Sequence, residues 1–446
     1  MDLAWLRMES QTNPMMITVL IRFAGQINYD HLVAEMETAV KRFRRLRQRI
    51  VRPSQFLRRP YWEEVPTFRA EDNIERMALP EPVGEEAVAK LVNEKMNTVL
   101  DFAYPLWKIT LVDNHPAGSI IIVRVHHCIA DGISLVRVLS TLTHPSGDAS
   151  ASKVSVSNLV EAENQPGIPA APAPASTTDA LPLPKALVKA PNAFDMMAAI
   201  FRILFRSADP PTILKVPLGK VKKAVWSEPF DVDEIKKIAQ YKQATINDVM
   251  MAVSTGAIQR YMQLHNDSRK HNIRAFILVN LRGLHFDDEL GNNFGLVFLD
   301  LPLDRAQPLA RLEGVKHSMD TLKASAEYAA TYLILNLLGM FPNWIEQLAT
   351  RFLDTKGTVV ATNVPGSRRE LLMADAPIQS MIAWVPQSGR IGVGLSFVSY
   401  NGQLMVGLNT DAGLIPDPEK FIELFTEEFV SLRGAIPSNS SASNSS

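Results

Sequence analysis

Residues 120–139 read IIIVRVHHCIADGISLVRVL, and this stretch decides the fold class. The run of β-branched and apolar residues from Ile120 to Val125 predicts a buried strand. Gly132 to Leu139 carries apolar residues at the spacing of a short helix. Strands and helices alternate irregularly in this way in both halves of the chain, so we expect an α/β (α+β) fold.

Two histidines, His126 and His127, follow the strand directly. Because successive residues of a strand point to opposite faces, we expect the two rings to leave the sheet on opposite sides. A neutral histidine is well suited to take a proton from a hydroxyl at physiological pH, so either ring is a candidate general base. The residue types alone also allow a structural or solvated pair. A metal site is disfavoured, since no further acidic or histidine cluster lies nearby in the sequence.

The remainder of this loop suggests supporting roles. We expect Asp131 to hold the loop by bonding backbone amides or an arginine. Gly132 is expected to let the backbone turn sharply or approach another segment closely. Cys128, the only cysteine, is not expected to act as a nucleophile, because neighbours on an extended segment point apart from each other. A single cysteine also excludes an intramolecular disulfide and a cysteine metal cluster, which suits a reducing, cytoplasmic location.

Composition narrows the class of protein. The chain has 446 residues, of which 46% are hydrophobic and 21% charged, so it is globular and long enough for two domains. Its formal net charge of −1 gives no global field toward nucleic acid, and we predict no nucleic-acid partner. The strongest basic stretch, Lys41 to Arg52, is either a solvated helix end or a contact for anionic phospholipid or CoA phosphates.

The chain divides into four parts by composition. We predict an N-terminal subdomain over residues 1–145, a linker rich in Pro and Ala over 146–215, a C-terminal subdomain over 216–435 and a disordered tail over 436–446.

An apolar helix is predicted within the linker, at residues 194–205 (FDMMAAIFRILF). It either docks on a domain surface or lies in a lipid interface. No uninterrupted apolar stretch is long enough to predict a transmembrane helix, and the short apolar segment at 329–341 is interpreted as a buried core helix.

Spaced motifs extend the signal beyond the histidine loop. His126 to Gly132 matches an HHxxxDG pattern, and it is accompanied by Pro105-Leu106-Trp107, Asn247-Asp248, Gly291-Asn292-Asn293-Phe294-Gly295 and Thr362-Asn363-Val364-Pro365-Gly366. In this order the segments resemble the PLW, ND, GN and NVPG motifs of the bacterial wax ester synthase/acyl-CoA:diacylglycerol acyltransferase family. HHxxxDG alone marks only the wider CoA-dependent acyltransferase superfamily. The opening residues, with Trp5, Glu9 and Pro14-Met15, also resemble the start of the family, although MMITVL departs from its usual form.

The resemblance implies two subdomains similar to chloramphenicol acetyltransferase, with mixed sheets around a central tunnel. It makes His127 the general base and His126 a supporting residue, with Asp131 and Gly132 holding the loop. The candidate substrate-binding residues each have a structural alternative, which is capping, core packing or turn formation, and they are Asn247, Asp248, Pro105, Leu106, Trp107, Asn363, Pro365 and Gly366.

The implied activity is transfer of a long-chain acyl group from acyl-CoA to a fatty alcohol, to diacylglycerol or to both. Acyl-CoA is then a substrate, and neither a cofactor nor a metal is expected. The implied location is cytoplasmic, at the inner face of the plasma membrane or on lipid inclusions. Two alternatives stay open: a superfamily enzyme acting on a polyketide or an amine, and a lipid-surface binding protein without catalysis.

Overall fold

A computed structural model describes residues 2–53, 59–145, 192–267, 271–280, 290–338, 341, 343–387 and 389–437. Residues 146–191, which make up most of the predicted linker, and residues 438–446 of the predicted tail lie outside this range. The apolar helix predicted at 194–205 lies inside it and spans Ala193–Phe205.

Two seven-stranded sheets organise the described residues. The strands in chain order are β1 Met16–Phe23, β2 Gln48–Val51, β3 Tyr61–Glu64, β4 Ile74–Met77, β5 Trp107–Val112, β6 Ile120–His126, β7 His144–Pro145, β8 Lys222–Trp226, β9 Phe230–Asp231, β10 Ile273–Asn280, β11 Phe294–Leu301, β12 Val359–Pro365, β13 Leu371–Met373, β14 Ala376–Trp384, β15 Val393–Tyr400 and β16 Gln403–Asp411. The first sheet has the order β4-β5-β6-β1-β14-β13-β7. The second has β11-β10-β12-β15-β16-β8, with β9 pairing β16. Strands β2 and β3 form a separate hairpin.

Helices cover both sheets. In chain order they are α1 Asp2–Met8, α2 Tyr29–Arg42, α3 Glu85–Met96, α4 Gly132–Leu142, α5 Ala193–Phe205, α6 Val232–Tyr241, α7 Ile246–Leu264, α8 Pro308–Lys323, α9 Glu327–Leu338, α10 Asn343–Asp354 and α11 Pro418–Gly434. The apolar faces of α2 and α4 pack against the first sheet, and α7, α8 and α11 bury the other core on the second sheet. Within the described part of the chain, every helix is too short or too polar to cross a lipid bilayer.

One strand pair crosses between the two halves of the chain. Strands β13 and β14 fall within the predicted C-terminal subdomain at 216–435, yet the structure places them in the first sheet. There β14 pairs antiparallel with β1, in the register Thr18 to Trp384. A division by composition follows chain order, whereas sheet pairing does not have to. Both sheets combine parallel and antiparallel pairs, so the predicted mixed α/β class is confirmed.

Candidate active site

The histidine pair is held by the backbone of neighbouring strands. Strand β6 ends at His126, whose N–H donates to the Leu106 carbonyl at 2.9 Å. The N–H of His127 donates to the Met15 carbonyl at 2.7 Å. Both residues are therefore fixed at the end of β6, between its neighbours β5 and β1, although His127 lies one residue beyond the strand.

Asn292 fixes the side chain of His127. Its Nδ2 donates to the His127 carbonyl at 2.8 Å and to Asp2 Oδ1 at 3.1 Å, and its Oδ1 lies 2.9 Å from His127 Nδ1. Because both partners of Nδ2 are acceptors only, the amide orientation is determined, and Oδ1 must accept from Nδ1–H. Nε2 of the neutral ring then carries the free lone pair. Among the described residues none bonds this atom.

Aromatic rings enclose His127. Trp5 stacks on it with ring centroids 4.0 Å apart and an interplanar angle of 17°, and Phe294 approaches edge-on at 5.9 Å. Only 4% of His127 is exposed. Burial lowers its pKa to about 4, against the opposing influence of the negative Asp131 and the bond to Asn292. The ring is therefore neutral at physiological pH and able to accept a proton.

Asp131 joins the histidine loop to the loop that carries Asn292. Its Oδ1 accepts from the N–H and the hydroxyl of Ser134, at 2.9 and 2.8 Å. Its Oδ2 accepts from the backbone N–H of Asn293 at 2.9 Å. The carboxylate thus caps α4 and fixes the spacing between His127 and Asn292.

His126 faces away from the His127 ring. Its Nδ1 accepts from the N–H of Cys128 at 3.1 Å, so the ring proton is on Nε2, 3.4 Å from Glu9 Oε1. The Phe102 ring lies edge-on at 6.0 Å. This packing gives His126 a structural environment, because it ties α1 and the β5 region to the end of β6.

The expected reason for Gly132 is wrong. Gly132 begins α4 with helical backbone, and a Cβ there would meet only Val364 Cγ2, at an ordinary 3.7 Å. Neither a sharp turn nor a close backbone approach requires glycine at this position. Gly132 instead borders a cavity, so the absence of a side chain leaves space beside His127.

Two cavities meet at His127. The first-sheet cavity lies between the first sheet and helices α2 and α4. Its walls are almost wholly apolar and include Ile17, Val19, Met36, Trp107, Ile109, Val123, Leu135, Leu139 and Val398. The second-sheet cavity lies under α9 and α10. Its walls include Trp5, Phe276, Leu296, Phe298, Ile334, Leu335 and Leu353. His127 borders both, so a group in either cavity has access to its ring.

Three predicted substrate-binding residues, Trp107, Pro365 and Gly366, border the first-sheet cavity. Trp107 is held there by a bond from its Nε1 to the Leu46 carbonyl at 2.8 Å. Pro105, Leu106 and Asn363 border neither of the two cavities. Leu106 acts through its carbonyl, which positions His126, and the Pro105 carbonyl accepts from Asn73 Nδ2 at 3.0 Å.

Asn247 and Asp248 also lie outside the walls of both cavities. Asp248 forms a capping box with Thr245: its Oδ2 accepts from the Thr245 N–H at 2.8 Å, and its N–H donates to Thr245 Oγ1 at 3.2 Å. The geometry favours the capping alternative for Asp248.

Family comparison agrees with the site. Residues 1–250 match the wax ester synthase/diacylglycerol acyltransferase catalytic domain, and residues 290–433 match the C-terminal domain of the same proteins. The chain belongs to the wax ester synthase/diacylglycerol acyltransferase family. The resemblance inferred from the spaced motifs is therefore confirmed.

Relatives within the wax ester synthase/diacylglycerol acyltransferase family are distant but nearly full length. A putative diacylglycerol O-acyltransferase of Mycobacterium tuberculosis is 23% identical, over 94% of this chain and 86% of that protein. The O-acyltransferase WSD of Acinetobacter baylyi is 22% identical over 84% of each chain.

Solved structures share the fold. The wax ester synthase/diacylglycerol acyltransferase from Marinobacter aquaeolei VT8 aligns with a TM-score of 0.68 and 18% identity, over 97% of both chains. The first condensation domain of a calcium-dependent antibiotic synthetase aligns with a TM-score of 0.63 and 13% identity, over 97% of this chain and 94% of that one. These likenesses confirm the two-subdomain architecture.

The structure bears on two other features of the sequence. Four arginines of the basic stretch at 41–52 form ion pairs, which are Arg44–Glu64, Arg45–Asp2, Arg49–Glu63 and Arg52–Glu9. Both interpretations of this stretch, a solvated helix end and a contact for phosphate groups, stay predictions. Burial raises the pKa of the Cys128 thiol well above its ordinary value, which opposes nucleophilic chemistry. No group of three or more potential metal ligands occurs among the residues that the structure describes.

Sequence reasoning missed two functional neighbours of His127. Asn292 and Trp5 were noted only as matches to family segments, without a role beside the histidine. The sequence does show an amide, Asn292, within the Gly-Asn-Asn-Phe-Gly segment and an aromatic residue, Trp5, near the start of the chain. Neither reveals its partner, since Asn292 lies 165 residues along the chain from His127.

Proposed function

We propose that this protein is an O-acyltransferase that moves a long-chain acyl group from acyl-CoA to a fatty alcohol, to diacylglycerol or to both. The observation that carries the proposal is the position of His127. Its ring has a free Nε2 lone pair, and it borders two mainly apolar cavities, one for each of the two lipid substrates in this proposal. An enzyme that joins two lipids needs a base at the meeting point of two apolar sites.

In the proposed mechanism, Nε2 of His127 takes the hydroxyl proton of the acceptor as its oxygen attacks the thioester carbonyl. The tetrahedral intermediate then collapses: the new C–O bond remains and the C–S bond breaks. The proton passes from Nε2 to the departing sulfur, which leaves as the free thiol of CoA. The low pKa of His127 helps this second transfer, because a buried imidazolium gives up its proton readily.

The neighbours of His127 keep the ring in this role. Asn292 accepts from Nδ1–H throughout, so Nε2 is the atom that exchanges the proton. Asp131 supplies a nearby negative charge that stabilises the transient imidazolium, and its main contacts hold the loop. Trp107, Pro365 and Gly366 are proposed to contact the acyl chain. Asn247, Asp248, Pro105, Leu106 and Asn363 remain predicted substrate-binding residues.

The partners proposed are acyl-CoA, the acceptor lipid and the surface of a membrane or lipid inclusion, and no cofactor is required by the mechanism. The alternative acceptors, an amine or a polyketide, are left to the experiment, because the mainly apolar walls also include the polar side chains of Thr331, Thr350 and Asp354.

The test is an acceptor panel with the purified full chain. Radiolabelled palmitoyl-CoA is supplied with hexadecanol, diacylglycerol or hexadecylamine, and the products are separated by thin-layer chromatography. We expect labelled wax ester or triacylglycerol, and none with His127→Ala at unchanged circular dichroism. Exclusive amide formation would support the alternative acceptor class. The absence of any labelled product would leave the non-catalytic lipid-binding alternative.

A further inference from the structure

Three neighbouring helices expose apolar side chains. Helix α5 packs on α9, and α9 contacts α10. Their outward residues form what we call the apolar face: Met197, Phe201, Phe205, Leu337, Trp344 and Leu348. Phe201 is 59% exposed, Trp344 66% and Leu348 64%. Single exposed apolar residues are ordinary, but exposed apolar residues on three helices that contact one another indicate an interaction surface.

The apolar face is not the side by which these helices join the core. Ala199 and Ile203 of α5 are fully buried against Phe276 and Phe298 of the second sheet. Helix α5 therefore buries one apolar side against the protein and exposes a second apolar side. The buried side agrees with the interpretation as a docked helix, whereas the interpretation as an interfacial helix stays a prediction for the exposed side.

The charges around the apolar face are mostly positive. Arg202 and Arg351 are exposed on α5 and α10. The acidic residues Glu327 and Glu346 are buried, and they pair with Arg206 at 2.6 Å and Arg7 at 2.8 Å. Asp195, near the start of α5, is exposed. An apolar surface with exposed arginines suits an interface of acyl chains and anionic headgroups.

The same helix layer forms a wall of the second-sheet cavity. Leu337 faces outward, whereas Ile334 and Leu335 of the same helix line the cavity. In α10, Leu348 is exposed and Leu353 lines the cavity. One layer of helices thus separates the apolar face from the space beside His127.

We propose that the apolar face docks on a phospholipid bilayer that contains anionic lipid, and that the second-sheet cavity takes the acceptor alcohol from that bilayer. The first-sheet cavity is then left for the acyl chain of the thioester. The cavity assignment rests on the proposed acyltransferase function, whereas the docking does not. A second copy of the chain is a poorer occupant, because a symmetric contact would bring Arg202 and Arg351 of each copy against the same surface of the other.

The docking is tested by a binding assay that does not depend on enzymatic activity. The full chain is floated with vesicles of phosphatidylcholine containing phosphatidylglycerol, and the bound fraction is compared with that of Trp344→Glu/Leu348→Glu and of Phe201→Glu. We expect each variant to bind about 10-fold more weakly, because charged side chains replace buried apolar area. Leu264→Glu is the matched control, since Leu264 is 54% exposed on α7, and its binding should equal that of the wild type.

Two results would overturn the docking. One is undiminished vesicle binding by both face variants. The other is a wild-type dimer in light scattering that the face variants convert to monomer, which would make the face a contact between copies. Using two variants on different helices keeps the test valid if one of them fails to fold.

A separate experiment tests the assignment of the second-sheet cavity to the acceptor alcohol. Leu335→Trp and Ile334→Trp narrow the second-sheet cavity from within. We expect them to bind vesicles normally and to use a short-chain alcohol, but to lose at least about 10-fold in turnover of hexadecanol at a fixed palmitoyl-CoA concentration. A loss that instead follows the length of the acyl donor would reverse the assignment. If no acceptor is acylated by the wild type, the proposed function fails while the vesicle result still stands.

Discussion

Asn292 holds His127 at two points, with its Oδ1 2.9 Å from the ring Nδ1 and its Nδ2 2.8 Å from the carbonyl oxygen. A single amide therefore determines both the backbone position and the tautomer of the proposed base. Asp2 fixes the amide in turn, by accepting from its Nδ2 at 3.1 Å. The arrangement does the work that a buried carboxylate does elsewhere, but it adds no negative charge directly to the ring.

Removing this amide should damage catalysis more than folding. In Asn292→Ala the ring is free to carry its proton on Nε2, where it cannot act as the base. We expect kcat to fall by about 10²- to 10⁴-fold, the usual contribution of a positioned base, with KM for palmitoyl-CoA little changed. Steady-state kinetics with hexadecanol provide the measurement. A loss confined to KM would show that Asn292 binds substrate and does not position His127.

The stacking of Trp5 on His127 gives a second prediction. Trp5→Phe keeps an aromatic surface against the ring and should retain most of the turnover. Trp5→Ala removes that surface and opens the second-sheet cavity to water, so we expect a fall of about 10-fold or more in kcat. Equal effects of the two substitutions would mean that the indole N–H, and not the stacking, is required.

The dependence of activity on pH should reflect the depressed pKa of His127. With a pKa of about 4, the ring stays neutral well below the ordinary titration range of histidine. We therefore expect kcat/KM with a short, soluble acyl-CoA to show no acid-side loss from this group between pH 6.5 and 5. A decline centred near 6.5 would contradict the burial of the base in the working enzyme.

The same shift has a consequence for stability. Between the unfolded pKa of 6.5 and the folded pKa of about 4, the unfolded chain binds a proton at His127 that the folded chain does not. The free energy of unfolding should therefore fall as the pH is lowered through this window, by up to roughly 3 kcal/mol from this group. Urea denaturation of the wild type and of His127→Gln checks this, since the variant should lose less stability over the same range.

Substitutions of Gly366 and Gly132 should distinguish a glycine that stability requires from a glycine that leaves room for substrate. A Cβ on Gly366 would lie 2.2 Å from the Ser399 carbonyl oxygen, so Gly366→Ala should cost about 1–3 kcal/mol of stability. Gly132→Ala has room and should change stability by less than about 0.5 kcal/mol. Gly132→Leu would project into the first-sheet cavity and should lower turnover of palmitoyl-CoA at unchanged melting temperature. Thermal melts and kinetics distinguish the three variants.

Local features of the site followed from the sequence, and its long-range contacts did not. The strand to Val125, the helix from Gly132 and the outward histidines are local, because periodicity and turn chemistry act over a few residues. Asn292 and Trp5 reach His127 only through the tertiary fold, so no spacing rule pairs them with it. Gly132 illustrates another limit: the sequence shows a glycine but not whether the backbone or the substrate needs the space.

Which strands belong to which sheet could also not be predicted from local sequence patterns. Strand β14 is apolar enough to be recognised as a strand, yet nothing within residues 376–384 tells which sheet it joins. That depends on the unpaired edge of β1, more than 350 residues earlier in the chain. The apolar outward side of α5 was ambiguous for the same reason, since a helix that is apolar all round does not reveal which side is buried.

Because β14 lies next to β1, the two edges of β1 find their partner strands at different times during synthesis. Strand β1 is paired on one side by β6 and on the other by β14, so a nascent chain has the first partner long before the second. Until residue 384 has left the ribosome, one edge of β1 is a row of open amide and carbonyl groups. The growing chain therefore carries this open edge, a site for mispairing with other strands, for most of the time it takes to be made.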